Sequence, residues 1–536
     1  MTSLVAWVDR EGAIALERFV ETPPAASRTK RWMIAILEQV RSGLAWYFED
    51  RVRSSRTAHF QWGGLDTLLT IARGVLVEST LDFDDLDDRD MIAWLLEHGL
   101  AEEHASISTI TQVYETLFAH APDLPYRVAD LACGVGLRWF LLVSFGYDGH
   151  PAYDFRWSCP ETLMTPYYEA LRAHGAEIHF FHRVEGITVA GQGAHRRLDA
   201  VKLRVQATVR GAGPYEPFLA DAAAPGCPPA WPLAPDFDQL VEGDVLRERR
   251  IDLEDVYADW PGVGERELQW GRDFDVCVLG VPLGALPTIV APLVDPASPY
   301  ADPRWQALVE GTALIQTVSA HLWFDRPASA MFDTSDHAVE RTGEADPRRG
   351  LLTGFVQPVG SLGEMTPLVA VERWPDPKPQ LLTYHTGALF AGARLPPPGA
   401  AWRDYPAQQR EHWRSLFHEW LRANHRSIFD AGPRDFDDLL AALRVPDGPP
   451  REGLERLWAQ AFNVACQPSD LYVLSRPGET KHRLAPSASG VRFLLLAGDW
   501  TKTDMNCGCV EAATQSGMLA ARALSNEPAY VWRVGY

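Results

Sequence analysis

The first part of the chain has the apolar spacing of helices. Apolar residues recur at the spacing of one helix face at Trp32, Ile36, Leu37 and Val40. The run from Asp90 to Gly99 is typical of a short helix that Gly99 ends. The acidic run 82–88 is typical of a helix-initiating turn, since it lacks the glycine and the distal glutamate of a calcium-binding loop. We predict a mainly helical region over residues 1–120.

Strand patterns begin near residue 176. Apolar positions over 178–189 predict one strand, and the alternation over 201–207 predicts a second. Glycines and prolines are dense over 211–235, which predicts a loop. The runs 274–280 and 314–324 have the composition of further strands. The middle of the chain is therefore expected to be rich in sheet.

The C-terminal segment follows the order strand, Gly-Asp, loop, Gly, helix. An apolar strand ends at Gly498-Asp499, and a helix of small residues spans 510–524. A carboxylate at the strand end can accept hydrogen bonds from sugar or ribityl hydroxyls. The helix start at Val510 and Glu511 offers free N–H groups to negative charge, and Gly508 permits close backbone approach. This order favours a nucleotide-type cofactor.

The charge and cysteine content exclude several classes of protein. The 536 residues include 50 Lys plus Arg and 71 Asp plus Glu, a net charge of −21, which argues against nucleic-acid binding. Seven scattered cysteines indicate a reducing compartment, and no residues have the spacing of a metal site. Residues 1–10 lack a signal-peptide pattern, and no apolar run approaches the ~20 residues of a membrane span. We expect a soluble, cytoplasmic protein without a bound metal.

The C-terminal residues also resemble a known family. The segments 496–501 and 506–513, with the small residues up to Ala521, resemble the C-terminal FAD motif of the amine oxidase and phytoene desaturase superfamily. The similarity continues upstream through 468–484, 274–287 and 172–184, and covers roughly residues 125–525. The resemblance implies a flavoprotein fold with FAD as its cofactor.

The resemblance assigns cofactor-binding roles to particular positions. It implies that Asp499, which follows Gly498, binds the ribityl chain, and that backbone at Val184 meets the adenine. The positions that lie beside the pyrimidine end of the isoalloxazine are Gly508, Cys509, Val510 and Glu511. Trp500 and Cys509 are expected near the ring, where monoamine oxidases carry an aromatic residue in place of Cys509. That difference removes the expectation of an aromatic cage for an amine.

For the reaction, the resemblance implies hydride transfer from substrate to flavin N5, with the protein orienting the C–H bond. Many amine oxidases place a lysine near N5, but no lysine occurs between Lys202 and Lys378. Gln316 is the nearest polar candidate on the corresponding strand, although an amide there can equally satisfy buried backbone. Our catalytic candidates are Gln316, Trp500 and Cys509. Tyr384 and His385 are expected either to line the substrate cavity or to lie in the core.

One part of the family pattern is missing. The superfamily opens with a strand, G-x-G-x-x-G and a helix, which hold the pyrophosphate, and this sequence has no such motif. The near-match at 134–139 has Trp139 in place of the third glycine. We therefore expect a split enzyme, in which a separate polypeptide supplies the phosphate loop and the ribose-binding acid. The alternative is a fragment of a longer chain.

These observations predict a mixed α/β fold. It would combine an incomplete FAD-binding Rossmann-like domain, an inserted mixed-sheet substrate domain and the N-terminal helical region. The FAD-domain segments are expected at 121–200, 271–290 and 485–525, and the substrate domain at 201–270 and 291–484. The expected activity is oxidation of a C–N or C–C bond of a small or natural-product-like substrate, with O₂ as the acceptor.

Two alternatives from other classes stay open. The chain could be a non-catalytic subunit that kept the fold and lost the cofactor. It could also be an S-adenosylmethionine-dependent methyltransferase, because 130–136 is close to a D-x-x-C-G-x-G loop and Asp154 follows for the ribose. The strand expected before that loop, over 126–129, is poor, so a close-packing turn around Cys133 is favoured.

Overall fold

The N-terminal part of the chain is helical. A computed structural model describes residues 18–119, 130–145, 155–211, 213–219, 226–332, 351–353, 357–391, 395–446, 448–529 and 531. Its first helices are α1 (Arg28–Ser54), α2 (Arg56–Glu78), α3 (Met91–Glu97), α4 (Ser108–Thr116) and α5 (Cys133–Phe145). Ser27, Ser55 and Asp90 cap α1, α2 and α3 by accepting backbone N–H groups. A helical N-terminal region is confirmed over the described residues 18–119, and residues 1–17 of the prediction lie outside them.

The remaining helices are mostly short, and all but α6, which precedes β1, lie between or after the strands. They are α6 (Thr165–Ala173), α7 (Gly243–Arg249), α8 (Leu286–Ile289), α9 (Ala291–Val294), α10 (Pro303–Gly311), α11 (Tyr405–Ile428), α12 (Phe436–Ala442), α13 (Leu454–Trp458) and α14 (Val510–Ser525).

The strands form three sheets. They are β1 (His182–Ala190), β2 (Arg197–Val205), β3 (Gly264–Gln269), β4 (Cys277–Leu279), β5 (Leu314–Phe324), β6 (Leu351–Thr353), β7 (Val359–Glu364), β8 (Leu381–Ala391), β9 (Ala461–Val464), β10 (Tyr472–Val473) and β11 (Leu494–Leu496). An antiparallel sheet has the order β1-β2-β3, and a six-stranded sheet has the order β10-β5-β8-β7-β6 with β9 also paired to β5. The third sheet is the parallel pair β4–β11. The mixed α/β fold class is confirmed.

One predicted strand begins later than the sequence suggests. The apolar run starts at Ile178, but β1 begins at His182. Phe181 has a φ of 62°, a left-handed conformation that interrupts extended backbone. The rings of Phe180 and Phe181 instead pack on Tyr215, with centroids 5.2 and 4.8 Å away. Phe180 and Phe181 therefore belong to a small local hydrophobic core and not to the strand.

The parallel pair joins two segments more than 200 residues apart in the sequence. Leu494 lies opposite Cys277, and Leu496 lies opposite Leu279. Leu279, Leu494 and Leu496 are buried in one core with Ile187 and Leu198 of the antiparallel sheet. The two strands come from the segments 271–290 and 485–525, which were expected in one domain, and they are neighbours in the fold.

The other face and one edge of this pair are open in the described part of the chain. Val278 points to that face, and 47% of its surface is exposed. The pairing with β11 uses the Cys277 N–H, which bonds to the Phe493 carbonyl, and the Leu279 carbonyl, which accepts from the Ala497 N–H. Backbone groups alternate between the two edges of a strand, so the N–H and carbonyl of Val278 face the outer edge of β4.

Candidate functional site

A cavity of about 520 Å³ lies where the parallel pair meets the six-stranded sheet. Pro282, three residues after β4, and Asp499, three residues after β11, both line it. Ligands of open α/β sheets bind outside the carboxyl ends of the parallel strands. The position of the cavity is therefore that of a ligand site.

Asp499 is held at the cavity by its backbone. Gly498 has a φ of 133°, and a Cβ there would lie 2.6 Å from Trp500 Nε1, so the turn requires glycine. The Gly498 N–H donates to Ser516 Oγ on α14 (3.1 Å), and the buried Arg483 guanidinium donates to the Asp499 carbonyl oxygen. Burial raises the pKa of the Asp499 carboxyl, and the nearby Arg483 charge opposes that rise. The carboxylate lines the cavity and itself accepts the backbone N–H groups of Asp499 and Trp500, which also oppose the rise.

Gly508 lies against an aromatic wall. Tyr472 Oη donates to the Gly508 carbonyl oxygen (2.6 Å), and a Cβ on Gly508 would lie 2.5 Å from the Tyr472 ring. The ring of Phe118 packs on Tyr472 with centroids 4.9 Å apart. Both aromatic residues line the cavity. Sequence reasoning missed them as site residues, because the contact joins segments far apart in the chain.

Cys509 is the N-cap residue of α14. Its Sγ accepts the Ala512 N–H at 3.3 Å and lies 3.7 Å from Cys507 Sγ. Val510 and Glu511 follow in the first helical turn and are exposed. These residues come directly after Gly508, although their side chains are not part of the cavity lining.

The wall on the six-stranded sheet is polar. Thr317 and Ser319 of β5 line it together with Tyr384 and Thr386 of β8 and Asn463 of β9. Asn463 Nδ2 lies 3.5 Å from Ser319 Oγ, and Thr386 Oγ1 donates to the Val318 carbonyl oxygen at 3.3 Å. Hydroxyl and amide groups that face a cavity can orient a polar substrate.

Gln316 is not part of that wall. It is buried, and its Nε2 donates to Tyr405 Oη and to the Ala465 carbonyl oxygen, both at 3.1 Å. Its neighbour Thr317 lines the cavity instead. The amide thus satisfies buried polar groups. This is the structural role that the sequence left open as the alternative to a catalytic one.

Tyr384 and His385 are adjacent on β8, and their side chains point to opposite faces of the sheet because side chains alternate along a strand. Tyr384 lines the cavity, whereas His385 is fully buried and its ring packs on Phe417 and Trp420. His385 Nε2 lies 3.0 Å from Thr383 Oγ1, and burial lowers the pKa of the imidazole to about 3. Of these two candidates, the structure brings only Tyr384 to the cavity.

Trp500 and Val184 lie in the core behind the parallel pair. Trp500 is buried, and its Nε1 donates to the Val281 carbonyl oxygen at 2.9 Å. Val184 packs against the same core from β1, next to a register shift between Val184 and Gly186. Neither residue is part of the cavity lining.

Few of the residues present could hold FAD. Asp499 gives the cavity one carboxylate that could accept hydroxyl groups such as those of the ribityl chain. Gly498 and Gly508 open no space for a cofactor, because their missing Cβ atoms would lie against Trp500 Nε1 (2.6 Å) and the Tyr472 ring (2.5 Å) of this chain. In the described ranges no glycine-rich loop follows β4 or β11 at the positions where a pyrophosphate would be held. The observed fit to FAD is therefore limited to the Asp499 carboxylate, on the ribityl side.

The segment that suggested a methyltransferase is a packing element. Gly134 and Gly136 lie in the first turns of α5, and a Cβ on Gly134 would lie 1.9 Å from the Phe83 carbonyl oxygen. A Cβ on Gly136 would lie 2.5 Å from Met91 Sδ. These glycines serve helix packing, which does not favour a nucleoside site at this segment. The strand expected at 126–129 and the expected ribose ligand Asp154 lie outside the described residues.

The acidic run 82–88 holds the loop before α14 through ion pairs and hydrogen bonds. Asp82 caps a 3-10 turn at Phe83–Leu86, and the Asp84 carboxylate pairs with Arg138 (2.7 Å) and Lys502 (2.6 Å). Asn506 Nδ2 also donates to Asp84 (3.2 Å). The described ranges hold no cluster of three or more residues that could bind a metal ion.

Comparison with known proteins identifies no family. No protein-family model matches the chain, and no curated protein matches its sequence. A crystal structure of an oxidoreductase from Methanosarcina mazei is similar with a TM-score of 0.42 and 11% identity, over 86% of this chain and 72% of that chain. None of the helices in the described ranges is long and apolar enough to cross a membrane.

Proposed function

We propose that this chain is the substrate-binding part of an FAD-dependent oxidoreductase that oxidises a C–N bond of a small amine. The observation that carries the proposal is the cavity at the carboxyl ends of β4 and β11, where Asp499 faces a polar sheet wall. The C-terminal motif and the Asp499 carboxylate at the cavity support FAD as the cofactor.

The charge of the cavity favours an amine over a neutral substrate. Its lining includes two acidic residues, Asp470 and Asp499, and no lysine or arginine. Asp499 is assigned to the ribityl chain, which leaves Asp470 to attract an ammonium group. Partial burial raises the pKa of Asp470, although the side chain is still exposed at the cavity mouth. We therefore prefer C–N over C–C oxidation.

Bound FAD would supply the hydride acceptor for this reaction. The residues of this chain would bind and orient the substrate. Tyr472 and Phe118 form an apolar wall, and Ser319, Tyr384 and Asn463 offer hydrogen bonds on the opposite side. Gln316, Trp500 and Cys509 are not needed for these steps, since their side chains lie outside the lining.

We further propose that a second polypeptide completes the nucleotide-binding half. The support is the open face and outer edge of the two-stranded parallel sheet, since parallel sheets are normally covered on both faces and unpaired edges invite strand addition. The partner would add a parallel strand beside β4, cover Val278 and carry the glycine-rich phosphate loop. Because an interface of this kind is large and apolar, the complex should be obligate.

The test is to purify the chain alone and from cells that express it natively, and to measure flavin absorbance. We expect the native complex to be yellow and the isolated chain to bind FAD poorly. The variant Val278→Asp should lose the partner, whereas Val241→Asp, at another exposed valine, should keep it. A soluble monomer that binds one FAD unaided would disprove the split enzyme. A complex that stays colourless with added FAD would disprove the flavin and favour a scaffold.

A further inference from the structure

Two thiols flank Gly508 and lie in contact. The sulfur atoms of Cys507 and Cys509 are 3.7 Å apart. Cys507 is 1% exposed within the helical core, whereas Cys509 is partly exposed next to the surface residues Val510 and Glu511. The pair thus has one accessible sulfur and one protected sulfur.

The accessible sulfur lies where a thiolate is stabilised. Cys509 caps the sixteen-residue helix α14 and accepts the Ala512 N–H at 3.3 Å. The contact with Cys507 and this N–H lower the pKa of Cys509, against the opposing effects of burial and Glu511. The same contact and burial raise the pKa of Cys507, although Arg483 lies nearby. The thiolate form is therefore favoured at Cys509, the partly exposed member of the pair.

The other described cysteines lack this arrangement. Burial raises the pKa of Cys133, of Cys277 and, to about 11, of Cys466. Partial burial also raises the pKa of Cys159, which is exposed. Among the cysteines that the structure describes, the contact at 507–509 is the one between two sulfurs.

We propose that Cys507 and Cys509 form a redox-active dithiol that reacts with low-molecular-weight disulfides. The Cys509 thiolate attacks one sulfur of the disulfide, forms a mixed disulfide and releases one thiolate, which takes up a proton. Cys507 then loses its proton and attacks Cys509 Sγ, which closes the Cys507–Cys509 disulfide and releases the second thiol. The dithiol loses two electrons and two protons, and the small disulfide gains them.

Closure requires only a local movement. The sulfurs must approach from 3.7 Å to about 2.05 Å, and Gly508 between them has no side chain to oppose a change of backbone angles. Oxidation would also remove the thiolate cap of α14, beside the loop that carries Asp499 and Gly508. The reaction needs no flavin, so it stands apart from the proposed function.

The sequence allows a direct test, because trypsin cleavage after Lys502 and Arg522 releases one peptide with these two cysteines alone. The intact protein is incubated with oxidised glutathione, quenched with acid, alkylated and analysed by mass spectrometry. In the wild type we expect this peptide to lose two hydrogens through an internal disulfide. Cys507→Ser should retain a glutathione adduct on Cys509, and Cys509→Ser should react at least tenfold more slowly at residue 507.

Cys159→Ser, at an exposed cysteine, is the matched control and should leave the 503–522 peptide fully oxidised. A wild-type peptide that stays doubly alkylated while Cys159 carries glutathione would overturn the proposal. So would equal adduct rates on the two variants, provided that their circular dichroism spectra match that of the wild type.

Discussion

Tyr472 Oη donates a hydrogen bond to the carbonyl oxygen of Gly508 at 2.6 Å, and this bond joins the six-stranded sheet to the loop before α14. Tyr472 belongs to β10, which pairs with β5 and therefore fixes the tyrosine beside the cavity. The loop carries Gly508 in contact with the ring. This contact thus helps to set the spacing between the sheet wall and the proposed flavin side, together with the Ser475 hydroxyl, which donates to the Asn506 carbonyl oxygen.

A methyl group at position 508 should disturb that contact. In Gly508→Ala the new Cβ would lie 2.5 Å from the Tyr472 ring, so the ring or the loop must shift. We expect a loss of about 1–3 kcal/mol of stability in chemical unfolding, the usual cost of overpacking. Gly517→Ala is the control within α14, since no atom lies within 4 Å of its new Cβ. It should stabilise the helix by roughly 0.5–1 kcal/mol, and equal effects of the two variants would contradict the contact.

Removing the charge at Asp499 should weaken FAD binding by the complete complex. In Asp499→Asn the side chain keeps its size but loses a charged acceptor, and hydrogen bonds to charged groups contribute about 1.5–3 kcal/mol. We therefore expect an FAD dissociation constant roughly 10-fold to 100-fold higher, measured by flavin fluorescence. Asp295→Asn, on the exposed surface, should bind FAD as the wild type does. Unchanged affinity in Asp499→Asn would remove the ribityl assignment.

Glu115 should make stability depend on pH. Burial raises the pKa of this α4 carboxyl to about 8 in the folded protein, from an ordinary value of 4.5, while the Gln357 amide (3.1 Å) opposes the rise. Between these pH values the folded state holds a proton that the unfolded state releases. Its stabilising contribution is therefore complete below pH 4.5 and is lost as pH rises toward 8, by up to about 1.4 kcal/mol per unit.

Glu115→Gln should flatten this dependence in urea unfolding measured from pH 5 to 8. Glu103→Gln, at an exposed position of the same region, should leave the slope unchanged. A wild-type protein that becomes more stable across this range, with the Glu115→Gln variant parallel to it, would show that another group governs the dependence.

Local sequence determined the parts of the site that depend on backbone conformation. The strand ending at Gly498 could be predicted locally, since a φ of 133° demands glycine there. The glycine at 508 and the sheet shared by β4 and β11 are expectations from the family resemblance, because the Tyr472 ring and the strand partner lie far away in the sequence.

Which side chains of the six-stranded sheet face the cavity could not be predicted in this way. A register shift lies between Ile315 and Thr317 in the pairing of β5 with β8, and Thr317, not Gln316, lines the cavity. That shift depends on strand partners more than 60 residues away. The contact of Phe118 with Tyr472 likewise needs the N-terminal helices to pack on the sheet. Such choices follow from tertiary packing, which a single sequence leaves open.

The carboxylate at the cavity mouth should select cations. Asp470 is one of two acidic groups in the lining, and its carboxylate accepts the Gln467 N–H and the Ser469 hydroxyl, both at 3.3 Å, and the Cys466 N–H. A ligand ammonium at this exposed position should gain a modest attraction, so Asp470→Asn should weaken benzylamine binding roughly threefold to tenfold at pH 7. Isothermal titration measures this directly. Benzyl alcohol, a neutral molecule of similar shape, should bind the wild type and the variant equally. If benzylamine also binds both equally, the cavity does not recognise charge through Asp470, and the preference for an amine substrate loses its support.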